Sequence, residues 1–163
     1  PILRVVFGPR DPSYISPILS AIQSDLCKSG IDGVLSTHIQ RDALEKFSYV
    51  SPIGAAGVYL HAVAGDFQKE GPARELFKSM IREISTLAAA MGYPFEKDYV
   101  KINLEILSNL SADATTSMQR DIMEGKPSEL DGLVMEPLRL AKKYSVSMPC
   151  YEEVAKVLCP LEF

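Results

Sequence analysis

The stretch that decides the fold is PARELFKSMIREISTLAAAMG, residues 72–92. Apolar side chains recur in it at spacings of three and four residues, at Leu76, Met80, Ile84, Leu87 and Met91. This spacing is typical of an amphipathic α-helix that buries one face. The proline suits the first turn of a helix, and the glycine suits the position just beyond its end. The stretch therefore predicts one long helix packed against a core.

Helical patterns continue on both sides of this stretch. Upstream, residues 41–51 fit a helix, and residues 52–64 fit either a second helix or a continuation of the first past a kink at Pro52. Downstream, further helices are predicted at about residues 97–110, 117–124, from Ser128 across a kink at Pro137, and 151–158. From His38 onward the chain is therefore expected to be all helical.

The first 37 residues have a different pattern. The β-branched and aromatic runs Leu3–Phe7 and Ile31–Ser36 predict two strands. Between them, Ser16 followed by Pro17 predicts the start of a helix. A β-α-β piece of this size is too small to form a stable sheet alone, so it is expected to be the end of a larger α/β domain. A chain that starts at Pro1, and not at Met, agrees with a preceding segment.

The composition excludes several classes of protein. A net charge of -4 argues against a nucleic-acid binder, which normally has a basic face. No run approaches the about 18 consecutive apolar residues of a membrane span, and a signal-peptide pattern is lacking. The cysteines are odd in number and lack CxxC spacing, which predicts neither a disulfide framework nor a metal site. We expect Cys27, Cys150 and Cys159 to be buried, reduced thiols of a cytoplasmic protein.

Three positions have side chains that could carry chemistry. Lys46 could donate a proton to a carbonyl oxygen, or it could pair with Asp42 one turn earlier as an ordinary surface lysine. The hydroxyl run at residues 115–117 could bind a carboxylate or cap the following helix. Glu129 could bind a ligand or stabilise the dipole of its helix. The residues alone leave both alternatives open at each position.

Two runs resemble the C-terminal signature of the ketopantoate reductase family. They are TTSMQRDI, residues 115–122, and GKPSELD, residues 125–131. Similarity extends to LEKF at 44–47, LRLA at 138–141 and VSMP at 146–149, so that it covers nearly the whole chain. The resemblance implies a mainly α fold. This is a multi-helix C-terminal domain of the 6-phosphogluconate-dehydrogenase C-terminal-like type, preceded by a short β-α-β remnant of a Rossmann-type domain.

The resemblance also implies a domain boundary. Residues 1–37 are expected to end an α/β nucleotide-binding domain, and residues 38–163 to form a helical domain for substrate binding and dimerisation.

The same resemblance implies roles for particular residues. Lys46 matches the family's catalytic lysine, the proposed general acid. Ser117 matches a serine that contacts the substrate. Glu129 matches a glutamate that binds the substrate hydroxyl and supports catalysis. Glu83 is a less secure match to a further family glutamate.

The implied function is that of an oxidoreductase, a 2-dehydropantoate 2-reductase, which transfers a hydride from NADPH to a 2-keto acid and forms a 2-hydroxy acid. The reference reaction converts ketopantoate to pantoate in pantothenate biosynthesis. The chain contains no glycine-rich loop after a strand, so NADP is expected to bind mainly to an upstream domain. The chain alone is therefore expected to be inactive. The complete protein is expected to bind a small-molecule 2-keto acid and to bind neither nucleic acid nor a membrane. A homodimer is a candidate assembly.

Two features depart from the family's pattern. Asparagines are typical four and eight residues after the lysine, where Val50 and Gly54 stand. An Asn-Gly pair of the last long helix is replaced by Val134 and Met135. Loss of polar groups around a substrate can change selectivity by orders of magnitude, so the substrate is expected to be ketopantoate or a relative of it. The alternative is a family-derived helical domain for dimerisation or regulation, whose pocket is no longer catalytic.

Overall fold

The computed structural model describes residues 3–11, 13–14 and 16–160. Within these residues the chain forms a two-stranded parallel sheet, eight α-helices and a short π-helical stretch. In chain order they are β1 (Arg4–Phe7), α1 (Pro17–Lys28), β2 (Asp32–Leu35), α2 (Ile39–Leu60), α3 (Ala64–Gln68), α4 (Pro72–Ala90), α5 (Tyr99–Ser108), α6 (Ser117–Met123), the π segment (Asp131–Met135), α7 (Glu136–Tyr144) and α8 (Pro149–Leu158). The expected mainly helical fold with a β-α-β start is confirmed.

The chain divides into two compact units, Pro1–Leu44 and Glu45–Phe163. In the first unit β1 and β2 pair in parallel, with α1 as the crossover between them. Gly8 follows β1, and a Cβ atom there would lie 2.2 Å from the Ser36 carbonyl oxygen, so only glycine fits. The domain boundary predicted between residues 37 and 38 stays a prediction.

The cysteines differ from the prediction of three buried thiols. Cys27 on α1 is exposed, and Cys150 and Cys159 are partly exposed. The prediction is wrong for Cys27 because the two strands cover too little of α1 to bury any of its residues. Cys27 and Cys150 are free thiols.

The core of the second unit forms around α4. Its large buried side chains, each no more than 1% exposed, are Phe77, Met80, Ile81, Ile84 and Leu87. The predicted helix is confirmed, but its buried face is rotated, since Leu76 and Met91 are only partly buried. Burial of one such side chain stabilises a fold by about 1.5–3 kcal/mol, so these positions make α4 the central element of the unit.

A proline inside α2 shapes the packing of the second unit. The helix continues through Pro52, which decides between the two predicted alternatives in favour of one continuous helix. Proline has no N–H, so the Ser48 carbonyl, four residues earlier, loses its usual donor. Asn103 of α5 replaces that donor, with its Nδ2 atom 3.1 Å from both the carbonyl oxygen and Oγ of Ser48. Both residues are at most 1% exposed. This buried contact therefore joins α5 to α2 at the position of the proline.

A second proline, Pro137 near the start of α7, also leaves a backbone carbonyl without its usual donor. Next to the kink predicted at Pro137 the chain forms the π segment, in which the Glu136 N–H donates to the Asp131 carbonyl five residues back. Because Pro137 has no N–H, the Leu133 carbonyl is left without an α-helical donor. The Ser51 hydroxyl of α2 donates to it instead, at 2.6 Å.

Removal of the Asn103 amide should destabilise the protein. Asn103→Ala leaves the Ser48 carbonyl buried without a donor, which typically costs about 1–3 kcal/mol. Asn109→Ala is the matched control, because this asparagine of the same region makes an exposed hydrogen bond, and surface changes usually stay within about 0.5 kcal/mol. Urea unfolding monitored by circular dichroism measures both. Equal losses of unfolding free energy in the two variants would show that the buried Asn103 amide stabilises the fold no more than the exposed Asn109 amide.

Candidate functional site

Lys46 lies in the first half of α2 with its side chain exposed. The carboxylate of Asp42, one turn earlier, accepts a hydrogen bond from the Ser36 hydroxyl. Val50 and Gly54 follow Lys46 after one and two further turns, so the three positions lie along one stripe of the helix, which spans about 12 Å. This stripe leads from an exposed end at Lys46 to a buried end at Gly54.

Two other segments meet α2 at the buried end of this stripe. A Cβ atom built on Gly54 would lie 3.1 Å from Met118 Cε, 3.8 Å from Leu133 Cδ1 and 4.0 Å from Thr116 Oγ1. The absence of a side chain at Gly54 therefore lets the start of α6 and the π segment approach the helix that carries Lys46. These are also the segments next to the other two candidate residues, Ser117 and Glu129.

The start of α6 shows which hydroxyl caps the helix. Thr116 Oγ1 accepts a hydrogen bond from the Gln119 N–H at 3.2 Å, and Gln119 Oε1 accepts one from the Thr116 N–H at 2.9 Å. This reciprocal pair is a capping box. The Gln119 side chain also donates to the Ala62 carbonyl at 2.7 Å, which ties α6 to the end of α2. Since Thr116 caps the helix, Ser117 beside it is an exposed first-turn residue whose hydroxyl is not used for the cap.

Glu129 lies just before the π segment and is exposed. Its carbonyl accepts a hydrogen bond from the Leu133 N–H at 2.9 Å. A helix was predicted to start at Ser128, but the N-cap residue of the π segment is Leu130, and no side-chain hydrogen bond caps the segment. On the exposed side of the segment, Arg139 hydrogen-bonds to Asp131, and this bond lowers the pKa of the Asp131 carboxyl.

The structure thus brings the three candidates onto neighbouring segments without joining their side chains. Lys46 belongs to α2, Ser117 to α6 and Glu129 to the turn before the π segment, and α6 and the π segment contact α2 at Gly54. Within the described residues, no hydrogen bond connects the three side chains to one another. Whether they bind a substrate together stays a prediction.

Glu83 lies on α4 and contacts the start of α8, whereas the other candidate residues lie on α2, on α6 and in the turn before the π segment. Its carboxylate accepts hydrogen bonds from the N–H groups of Cys150 at 2.8 Å and Tyr151 at 3.1 Å. These N–H groups belong to the first turn of α8, where helices lack internal acceptors and favour a negative charge. Burial, together with the Glu83 carboxylate, raises the pKa of the Cys150 thiol to about 11. Glu83 therefore caps α8 from the neighbouring helix α4.

Four buried polar residues were not recognised from the sequence. Ser48 and Asn103 pair at the first proline, and Ser51 and Tyr151 pair near the second, with 2.5 Å between their hydroxyl oxygens. The sequence contained a usable signal, because an internal proline always deprives the carbonyl four residues earlier of its donor. That rule identifies the carbonyl that needs a partner, but it does not identify the partner.

A mostly apolar cavity of about 250 Å³ lies on another face of α2. Tyr49 and Ile53 form its α2 wall, and Thr116 and Gln119 of the capping box contribute its polar atoms. Burial raises the pKa of the Tyr49 hydroxyl. Lys46, Ser117 and Glu129 do not line this cavity, but Thr115 and Thr116 of the hydroxyl run do.

Residues 3–11, 13–14 and 16–160 contain no group of three or more His, Cys, Asp or Glu side chains that could hold a metal ion. In the same residues, no helix has both the length and the apolar character that crossing a bilayer requires.

Comparison with known proteins assigns the chain to a family. Residues 38–162 match the family model described as ketopantoate reductase PanE/ApbA, C terminal. A 2-dehydropantoate 2-reductase of Aquifex aeolicus is 28% identical over 159 residues, which are 95% of this chain and 51% of that protein. The chain belongs to the ketopantoate reductase family, a family of oxidoreductases, and contains its C-terminal domain. It spans about half the length of the curated relatives it matches.

Solved structures share the fold. The 2-dehydropantoate 2-reductase of Methylococcus capsulatus superposes with a TM-score of 0.85 at 22% identity, over 98% of this chain and 50% of that one. A ketopantoate reductase of Staphylococcus aureus, described as dimeric, has a TM-score of 0.80 at 18% identity, over 95% and 52% of the two chains. These likenesses confirm the predicted fold. A D-mandelate dehydrogenase whose structure contains NADH has the same fold, with a TM-score of 0.77 at 16% identity, over 94% of this chain and 64% of that one.

Removal of the Glu83 carboxylate should loosen α8. Glu83→Ala leaves two first-turn N–H groups without an acceptor and should lower the free energy of unfolding by about 1–3 kcal/mol. Glu83→Gln keeps one acceptor and should cost less. Glu105→Ala, a change at an exposed glutamate of α5, is the control. Chemical denaturation compares the three variants, and a Glu83→Ala protein as stable as the control would exclude the capping role.

Proposed function

We propose that the complete protein is an NADP-dependent reductase that converts a 2-keto acid, ketopantoate or a relative of it, to the 2-hydroxy acid. The observation that carries the proposal is the approach of α6 and the π segment to α2 at Gly54, which gathers the segments of three candidate residues. Membership of the ketopantoate reductase family supports the reaction class. With ketopantoate as substrate, the product would serve pantothenate biosynthesis in the cytoplasm.

In this proposal each candidate residue has one role. Lys46 donates a proton to the keto oxygen as that oxygen becomes an alkoxide, which is general-acid catalysis. Glu129 accepts a hydrogen bond from a hydroxyl of the substrate. Ser117 contacts the substrate with its hydroxyl, which does not cap α6. The exposure of all three side chains supports these roles, because each can reach a bound molecule.

The nicotinamide cofactor, which supplies the hydride when it is bound, does not fit the residues of this chain. A dinucleotide site needs a glycine-rich turn between a strand and a helix. Here β1 is followed by Gly8-Pro9-Arg10, and the space beside Gly8 is filled by the Ser36 carbonyl. We therefore propose that the cofactor binds mainly to a domain upstream of this chain, in the half of the family's length that the chain does not span.

The substrate itself is less constrained than the reaction. Neither Val50 nor Gly54 offers a hydrogen-bonding side chain on the stripe that begins at Lys46. Met118 already occupies the space in which a side chain at position 54 would lie. This apolar lining favours a relative of ketopantoate as much as ketopantoate itself. It is also the observation that favours the second candidate function, a non-catalytic domain for dimerisation or regulation.

The assembly proposed for the complete protein is a homodimer through the helical domain at residues 38–163. The dimeric Staphylococcus aureus reductase, which has the same fold over 95% of this chain, supports it.

The proposed function is tested by the oxidation of NADPH by the complete protein with a panel of 2-keto acids that includes ketopantoate. Loss of a positioned general acid typically lowers a rate by about 10²–10⁴, or about 3–5 kcal/mol of barrier. Lys46→Ala should lower kcat by that factor without unfolding the protein. Lys101→Ala, at an exposed lysine of α5, should keep wild-type activity.

The outcomes of this experiment separate the candidate functions. A Lys46→Ala enzyme within about threefold of wild type would make Lys46 an ordinary surface lysine, since a general acid contributes at least about 10². A wild-type protein without turnover on any 2-keto acid would favour the non-catalytic alternative.

Substitution of Glu129 should affect substrate use more than stability. A charge-assisted hydrogen bond to a substrate is worth about 1.5–3 kcal/mol, whereas support of a helix dipole is worth about 0.3–1 kcal/mol. Glu129→Gln and Glu129→Ala should therefore lower kcat/KM about tenfold or more, the alanine variant more strongly, with little change in Tm. Unchanged kinetics with a lowered Tm would assign Glu129 to the helix alone.

A further inference from the structure

A pair of buried hydroxyls lies between α2 and α8. Ser51 and Tyr151 are both 0% exposed, and their oxygens are 2.5 Å apart. Ser51 Oγ is also 2.6 Å from the Leu133 carbonyl oxygen, which can only accept. The Ser51 proton therefore goes to Leu133, and Tyr151 donates to Ser51. Burial raises the pKa of Tyr151, so this donor keeps its proton.

The acceptor at the end of this pair is directly connected to a candidate site residue. The Leu133 carbonyl is available because Pro137, four residues later, has no N–H. The N–H of the same leucine donates to the Glu129 carbonyl at 2.9 Å. Leu133 is thus held by Ser51 on one side and holds the backbone of Glu129 on the other.

Tyr151, the donor at the other end of the pair, is also fixed by a hydrogen bond of its backbone. The Tyr151 N–H donates to the Glu83 carboxylate of α4 at 3.1 Å, while its hydroxyl donates to Ser51. Ser51 lies on α2, little more than one turn after Lys46. One line of hydrogen bonds, buried at its Ser51–Tyr151 link, therefore runs from α4 through α8 and α2 to the turn that carries Glu129.

We propose that Ser51, supported by Tyr151, is a positioning residue that fixes the segment of Glu129 relative to the helix of Lys46. Ser51 cannot touch a substrate, because it is fully buried. It acts through Leu133, and it determines where the Glu129 backbone lies. This inference rests on the proposed function for its kinetic consequence, but the positioning itself is a property of the fold.

The test compares two variants of the complete protein. Ser51→Ala and Asn103→Ala each remove a buried donor to a carbonyl that a proline leaves unpaired, but only Ser51 bonds the π segment. Amide hydrogen exchange, followed by mass spectrometry, should be at least tenfold faster at residues 129–136 in Ser51→Ala. In Asn103→Ala the increase should be confined to α5 and the middle of α2.

Steady-state kinetics well below the Tm of both variants supply the second readout. Because Glu129 is proposed to bind substrate, Ser51→Ala should raise KM for the 2-keto acid about tenfold and change kcat much less. Asn103→Ala should leave KM within about twofold of wild type. An equal change of KM in both variants, or unchanged exchange at residues 129–136 in Ser51→Ala, would overturn the inference.

A milder variant covers the case in which Ser51→Ala does not fold. Tyr151→Phe keeps the ring and the bond from Ser51 to Leu133, and it removes only the supporting hydroxyl. It should increase exchange at residues 129–136 by about two- to fivefold, and no increase would count against the inference. If the wild type turns over no 2-keto acid, the proposed function fails, and the exchange data alone decide whether Ser51 positions the segment.

Discussion

Two prolines inside helices determine how the helical unit is assembled. Pro52 and Pro137 each withdraw a backbone donor, and a buried carbonyl without a donor costs about 1–3 kcal/mol. The fold satisfies both carbonyls with side chains from other helices, Asn103 for the first and Ser51 for the second. Each proline therefore turns a local defect into a long-range contact. The unit cannot lose these contacts without leaving polar groups buried and unpaired.

The candidate site follows from the same constraint. Ser51 faces the π segment, so α2 is oriented with its small residues toward α6, where Gly57 and Gly54 allow close approach. A Cβ atom at Gly57 would lie 2.7 Å from the Gln119 amide carbon, so the capping box of α6 depends on that glycine. The exposed end of the stripe then presents Lys46 toward solvent. The candidate residues lie at the surface, and the positions of their segments are set in the interior.

Local signals in the sequence predicted the elements whose ends are chemically marked. The helix α4 begins at Pro72 and ends before Gly92, whose φ of +90° is the left-handed conformation expected of a glycine at a helix end. The strand β1 and the helix α1 were recognised in the same way, from an apolar run and from Ser16-Pro17. In these cases the information lies within a few residues of the feature.

Elements that depend on distant partners were not predictable. The five-residue helix α3 was missed, because it is held by Arg74, which donates to two of its last carbonyls, and by a bond from Gly65 N–H to Ala112. The π segment was taken for an ordinary helix with a kink, because the donor that compensates Pro137 lies 82 residues from Leu133. Glu83 was matched, less securely, to a further family glutamate without an assigned role, and its bonds to α8 could not be seen without the fold.

The contact between Gly54 and Met118 constrains the order in which the site can evolve. A methyl group at position 54 would already lie 3.1 Å from the tip of the methionine, so a larger residue would be rejected while Met118 remains extended there. A smaller residue at position 118 would have to come first, and by itself it would open a cavity, which costs stability. A side chain at position 54 therefore requires either a smaller residue at position 118 or a shift of the flexible end of Met118, so we expect the two positions to change together.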